Sequence, residues 1–317
     1  MKKLLVFVLL AAVAAPGQTQ KADNPFGKAK APPSAAAGDD STLKVDVKLV
    51  SLFVSVTDPR GAPVGDLQKE NFSITEDDVP QKIAVFSRES SVPLSIVLAI
   101  DTSLSTKKDL PVELVSARKF AHAILRPTDT LAVYKFSEIV TQVVPFTNDM
   151  QSIDRGIDNI RVGAATALFD AIFLGSQALD KRQGRKVMVL ITDGGDTASQ
   201  SDYKTAVRAA QEAEALVYSV IIVPVAASAG RDTGGEHALI QLSEDTGAKY
   251  YYASSMNQLD EAFRKISDEL RTQYLLGYYP VKRFADSDFR QLEVTVSGNS
   301  SLHVRHRTGY YTAKSSW

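Results

Sequence analysis

The sequence predicts an α/β protein: an open, doubly wound and mostly parallel sheet inserted in a small β-sandwich built from N- and C-terminal segments. Three observations carry this. Between Val92 and Leu270 short apolar runs alternate with amphipathic stretches of helical length, the pattern of helices packed on both faces of a parallel sheet. On either side of that region apolar residues recur at period two. The N-terminal flank holds too few strands to stand alone, and the C-terminal flank supplies the missing ones.

Met1-Lys2-Lys3, the apolar run Leu4–Ala15 and small residues at its end form a secretory signal over residues 1–17, with cleavage after Ala14 or near Gly17. The run is too short and wrongly flanked for a membrane span, and no later stretch reaches about 18 uninterrupted apolar residues. The mature chain therefore reads as exported, periplasmic or secreted, without an integral membrane segment. Residues 18–42, rich in proline and alanine and without periodicity, read as a disordered leader.

The first part of the sandwich is assigned to residues 43–90. Leu43, Val45, Val47 and Leu49, then Leu52, Val54 and Val56, alternate with a shift near Ser51 that a bulge would explain. Asp58-Pro59-Arg60-Gly61 is a turn. Strands follow at Phe72–Thr75 and Gln81–Phe86, separated by Glu76–Pro80. The central domain, residues 91–270, has strands at Ser95–Ile100, Thr130–Phe136, Lys186–Thr192, Leu216–Val223 and Lys249–Ala253. Helices are expected at Leu110–Leu125, Asp149–Ile160, Ala167–Asp180, Asp202–Ala215 and Met256–Arg271. Residues 271–317 supply the second part of the sandwich through strands at Gln273–Tyr279, Gln291–Val296 and Leu302–Arg307; a meander followed by an unrelated tail is the competing topology.

At 317 residues and 44% hydrophobic the chain has room for one large core and a smaller one. It has no cysteine, so neither disulfides nor thiol catalysis are available. Lys and Arg number 36 against 37 acids, which leaves no field suited to nucleic acid or an anionic membrane.

The chemistry concentrates at Asp101-Thr102-Ser103-Leu104-Ser105, a D-x-S-x-S segment directly after the buried run Ser95–Ile100. One carboxylate and two hydroxyls at alternate positions offer three oxygen ligands to one point, as a hard divalent cation requires. The competing explanation is a helix N-cap, for which Asp and Ser are also suited. Further oxygen donors stand on loops after strands, Thr166 before a helix and Asp193 after Ile191-Thr192, where ligands of open α/β sheets bind.

This set, across about residues 91–270, closely resembles the metal-ion-dependent adhesion site of the von Willebrand factor A domain family. The resemblance implies Asp101, Ser103, Ser105, Thr166 and Asp193 as ligands of Mg²⁺ (or Mn²⁺/Ca²⁺), with the hydroxyls on the metal and the aspartates acting directly or through water. It further implies a protein partner whose Asp or Glu completes the coordination. The flanks, including Asn71–Asp77, Phe86–Glu89 and Tyr274–Pro280, are similar to a narrower group, the von Willebrand factor A-related proteins described mainly from acidobacteria.

Enzymatic motifs are missing: no G-x-S-x-G, H-E-x-x-H, Walker loop or G-x-G-x-x-G occurs. His122, His237, His303 and His306 are scattered, and the last two fall on opposite faces of a strand. The tyrosines Tyr250–Tyr252, Tyr274, Tyr278, Tyr279, Tyr310 and Tyr311 suit a sandwich core or a seal between domains better than a ligand platform. Residues 226–236, rich in glycine, read as a loop near the sheet's carboxyl edge. The leading expectation is a non-enzymatic, exported protein-binding module. A structural or assembly role with a rigidifying metal is the alternative, and a metal-dependent hydrolase with Asp196 as base comes third.

Overall fold

The computed structural model describes residues 49–88, 92–223, 233–282, 289–298 and 301–313. The expected signal, the leader, the strand residues before Leu49 and loop residues 226–232 lie outside them. In chain order the described elements begin with β1 (Val50–Thr57), β2 (Phe72–Glu76), β3 (Val79–Gln81), β4 (Ile83–Arg88) and β5 (Leu94–Asp101). Then come α1 (Leu110–Ile124), β6 (Thr130–Phe136), β7 (Val140–Thr147), α2 (Met150–Asp158), α3 (Leu168–Asp180) and β8 (Arg185–Thr192). The chain continues through α4 (Tyr203–Glu212), β9 (Ala215–Ile222), α5 (Thr233–Thr246), β10 (Tyr250–Ala253) and α6 (Met256–Thr272). It ends with β11 (Tyr274–Tyr278), β12 (Phe289–Val296), β13 (His303–Arg305) and β14 (Gly309–Tyr311).

The central sheet runs β10-β9-β8-β5-β6-β7, parallel except for the antiparallel edge strand β7. Every residue of β5, β9 and all but one of β8 is buried, as continuous apolar runs in a doubly covered parallel sheet require. Alternate side chains divide between two cores: Ile96, Leu98 and Ile100 pack with α1, α2 and α6, while Val97 and Ala99 pack with α3, α4 and α5.

The flanks form two four-stranded sheets, β13-β1-β11-β4 and β14-β12-β2-β3. Each mixes strands from both ends of the chain: β1 pairs with β11 and β13, and β2 pairs with β12, all antiparallel. One core joins them, with Leu52, Val54, Ile74, Leu276, Tyr278 and Val294 among its buried side chains. This excludes the meander with an unrelated tail.

Several expectations need correction. No bulge interrupts β1 near Ser51: its register with β11 runs without a shift from Val50 to Val54, so the alternation restarts cleanly at Val50. Glu76–Pro80 is not a plain separator. Asp77 and Asp78 form a two-residue turn with φ of 46° and 63°, and Val79-Pro80 already belong to β3. Proline is tolerated there because β3 is an edge strand. Residues 233–236 begin helix α5 rather than ending a loop. Strands β7 and β14 were not anticipated, and the Asp202–Ala215 helix stops at Glu212, where Glu214 at φ 56° turns the chain into β9.

The sandwich meets the α/β part at the end of the sheet opposite Asp101, through a buried polar junction centred on Glu269 of α6. Its carboxylate accepts from Ser55 Oγ at 2.9 Å and Tyr218 Oη at 2.7 Å, and pairs with Arg305. Gln273 Nε2 donates to Ser55 Oγ at 3.1 Å, and Arg185 Nη1 to the Leu270 carbonyl at 2.5 Å. Tyr278 and Tyr310 both donate to Glu76 inside the sandwich, at 2.6 and 2.8 Å. Tyr274 and Tyr278 thus serve the core as expected, whereas Tyr252 and Tyr279 are exposed.

Candidate metal centre

The loops that follow β5 and β8 meet a third at the carboxyl ends of β5, β6 and β8; this third loop, which carries Thr166, runs from α2 to α3 and does not follow a strand as expected. Asp101, the last residue of β5, is fully buried. Its Oδ1 accepts from Ser103 N at 2.9 Å, and its Oδ2 accepts from Thr192 Oγ1, at the end of β8, at 2.7 Å. Ser103 and Ser105 bring their hydroxyls to 2.9 Å of each other. Thr106 Oγ1 folds the loop by donating to the carbonyls of Ser103 and Asp101, at 3.1 and 3.3 Å. None of Asp101, Ser103 and Ser105 caps a helix: α1 starts nine residues after Asp101, its N-cap is Asp109, and that side chain makes no capping bond. The N-cap explanation of the D-x-S-x-S segment therefore fails.

The second loop is tied to the first by Gly163 N donating to the Thr102 carbonyl at 2.6 Å. Gly163 must lack a side chain, because a Cβ would stand 2.3 Å from Ser137 Cβ and Oγ. Glu138 Oε2 accepts from Ala164 N at 2.8 Å, and this bond and its neighbours bring the Glu138 carboxyl down to about 2. Thr166 is buried, its amide donates to Thr197 Oγ1 at 3.0 Å, and its own hydroxyl makes no hydrogen bond among the described residues. Asp193 is half-buried and likewise makes none. Behind it Gly194, at φ 95°, lies against the first turn of α5, where a Cβ would come 3.1 Å from Glu236 N. The structure thus places Asp101, Ser103 and Ser105 on one loop, joined by a direct bond to the β8 end that carries Asp193, and sets Thr166 on the loop bonded to Thr102.

Sequence reasoning overlooked Glu113. It sits on the buried stripe of α1 with Leu110, Ala117, Phe120 and Ile124, is 1% exposed, and both carboxyl oxygens lack a hydrogen-bond partner. Burial, and after it the charges of Asp101, Asp109 and Asp193, push its carboxyl up to about 9. A glutamate at helical spacing within an apolar stripe was the readable signal. Asp101 is raised to about 6, chiefly by burial; the hydrogen bonds of Thr192 and Ser103 oppose this, and Asp193 adds the smallest push. Asp196, the candidate base of a hydrolase, is occupied: its Oδ1 accepts from Leu168 N and Phe169 N at the start of α3, at 2.8 and 3.2 Å, and from Ser199 Oγ at 2.6 Å. It is a helix cap.

No group of three or more Asp, Glu, His or Cys side chains able to hold a metal ion forms among the described residues. The donors here are mostly hydroxyls. All are hard oxygens, the Thr166 hydroxyl and the Asp193 carboxylate make no hydrogen bond among the described residues, and no cation among them acts on the buried Glu113 carboxyl. That chemistry fits Mg²⁺, Mn²⁺ or Ca²⁺ and not a thiolate-seeking metal.

Residues 96–195 match the family model of the von Willebrand factor type A domain, a span that includes Asp101, Ser103, Ser105, Thr166 and Asp193. Among solved structures the chain is similar to BatB, a conserved hypothetical protein from Bacteroides thetaiotaomicron, at 18% identity over 56% of this chain and 98% of that one, with a TM-score of 0.44. It is similar to the PilB minor pilin from Streptococcus sanguinis at 13% identity, over 59% and 63% of the two chains, with a TM-score of 0.47. A von Willebrand factor type A protein from Catenulispora acidiphila is 10% identical over 84% of this chain and 74% of its own, with a TM-score of 0.49. No curated protein matches significantly. This match runs from β5 to just past β8, so the part of the chain that carries the three loops is similar to a von Willebrand factor type A domain.

Proposed function

We propose that this chain is an exported, non-enzymatic protein-binding module that captures an Asp or Glu of a partner protein through a divalent cation, Mg²⁺ or else Mn²⁺ or Ca²⁺. Asp101, Ser103, Ser105, Thr166 and Asp193 would hold the ion, the two aspartates directly or through water. The observation that carries this reading is the mismatch of charge at the loops: a buried Asp101, a half-buried Asp193 and a buried, unpartnered Glu113 act on one another. A bound dication supplies the missing positive charge and, with coordination positions left open, a point of attachment for an incoming carboxylate. Export rests on the Met1–Ala15 pattern, and no helix of the described residues is long and apolar enough to cross a membrane.

The test is a magnesium titration by calorimetry, paired with affinity capture from the native envelope, on wild type and on a Ser103→Ala/Ser105→Ala variant. Saturable binding lost in the variant, with partners that depart in chelator, is the expected outcome. Capture that is unchanged by chelator and by the variant refutes the metal bridge. Uniform loss of stability without loss of any particular partner would instead favour the structural role.

A further inference from the structure

At the far end of the sheet from these loops, a cavity of about 370 Å³ opens between the Thr57–Pro63 turn of the sandwich, the start of β10 and the second half of α6. We propose that it binds a small dianionic ligand, a phosphate monoester or a dicarboxylate, through Lys249, Arg60 and the Tyr251 hydroxyl. Its volume falls in the range of small-molecule sites. Its lining holds five cations, Arg60, Lys249, Arg264, Lys265 and Arg305, against three carboxylates, Glu261, Asp268 and Glu269. The carboxylates are spent. Glu261 pairs with Arg264 at 2.7 Å and Lys265 at 3.6 Å, Asp268 with Arg264 at 2.6 Å, and Glu269 with Arg305 while also accepting from Ser55 and Tyr218.

Two cations remain. Among the described residues neither Lys249 nor Arg60 has a carboxylate within ion-pair distance. The Lys249 ammonium lies 5.6 Å from the Tyr251 ring centre, and the Tyr251 hydroxyl, on the same wall, has no hydrogen-bond partner among the described residues. Burial and, after it, the neighbouring Arg305 hold the Lys249 ammonium below the usual lysine range, with Glu269 opposing them. An anion of two charges restores neutrality, and the two cations stand on different walls, so it would bridge the sandwich turn and the α/β part. The site shares no residue with the proposed metal centre.

The experiment uses the full chain, with inorganic phosphate and succinate as probes, sodium chloride at matched ionic strength as the control, and calorimetry with thermal melts as readouts. We expect saturable binding and stabilisation by at least one probe. Phosphate alone assigns a phosphate ligand, and succinate alone a dicarboxylate. Lys249→Met should weaken binding at least about tenfold, one charge-assisted contact, yet melt no lower than wild type without ligand, since it removes a half-buried, unpaired charge. Arg60→Gln, on an exposed turn, should weaken binding by a smaller factor and keeps the test decisive if Lys249→Met folds poorly. Stabilisation no greater than that of chloride, or equal binding by wild type and both variants, overturns the proposal.

Discussion

Replacing Glu113 by glutamine should stabilise the metal-free protein at neutral pH, and the size of the effect follows from its surroundings. The folded-state carboxyl titrates at about 9 against an ordinary 4.5, first because it is buried and then because Asp101, Asp109 and Asp193 repel its charge. Between those values the folded protein keeps a proton that the unfolded chain has released. The contribution of this proton is therefore fully present below about pH 4.5 and is lost as pH rises to about 9, at about 1.4 kcal/mol per pH unit. From pH 5 to pH 7 that amounts to about 2–3 kcal/mol. Glutamine has the same shape, carries no proton to lose, and leaves the same oxygen position unbonded, so its profile should lack this slope.

The assay is urea or thermal unfolding of both proteins in chelator at pH 5, 6, 7 and 8. Asp101 titrates in both, which makes the difference between them the quantity to read. The variant should gain on wild type steadily, to about 5 °C or more between pH 5 and pH 7. Saturating magnesium should shrink the gap, because a dication near Asp101 favours the ionised glutamate. Parallel profiles in chelator would mean that Glu113 is already ionised or hydrated, and the picture of an uncompensated carboxyl beneath the loops would be wrong.

The remaining predictions concern the loops and the frame. Asp101→Asn should raise metal-free stability by up to about 3 kcal/mol at pH 7, since a carboxyl moved from 3.8 to about 6 has lost its stabilising proton by then, while magnesium binding disappears; Asp193→Asn should only weaken binding, and calorimetry separates the two. Asp196→Ala strips two amides at the start of α3 of their acceptor and should cost about 1–2 kcal/mol in urea unfolding, with any turnover unaffected. Cutting the chain after Leu270 removes Tyr274, Leu276, Tyr278, Leu292, Val294 and Tyr310 from the sandwich core, about 10 kcal/mol of burial, so a soluble, folded 43–270 fragment would refute the shared core.

What could be read from the sequence was whatever a single segment states by itself. The eight-residue strands β5, β8 and β9 are dominated by apolar residues, and the D-x-S-x-S loop is contiguous. What escaped depended on partners elsewhere. Strand β7 is half-exposed, polar at Thr141 and Gln142 and interrupted by Pro145; only its edge position beside β6 makes it a strand. Helix α5 opens with Thr233-Gly234-Gly235, which on propensity alone resembles a loop, and it is held by Leu239 and Leu242 packing under β9. Glu113 was masked in the opposite way. Its position belongs to a buried stripe, and only the fold shows that its neighbours across the gap are acidic.

The two ends of the central sheet handle buried charge differently, and that contrast supports separate roles for them. At the sandwich junction Glu269 is buried with Arg305, Ser55 and Tyr218 all directed at it, so its carboxylate is fully used. A hub of this kind sets which surfaces meet more than it adds stability, because desolvation offsets much of the attraction. At the opposite end Asp101 receives only neutral donors and Glu113 receives none. The loops there are nonetheless held by backbone bonds, Thr102 to Phe136, Gly163 to Thr102 and Ala167 to Ser137, so their shape does not depend on the missing charge. A rigid frame around uncompensated carboxylates is what the proposed binding site needs before its ligand arrives: the geometry is already in place, and a bound cation would relieve the electrostatic cost.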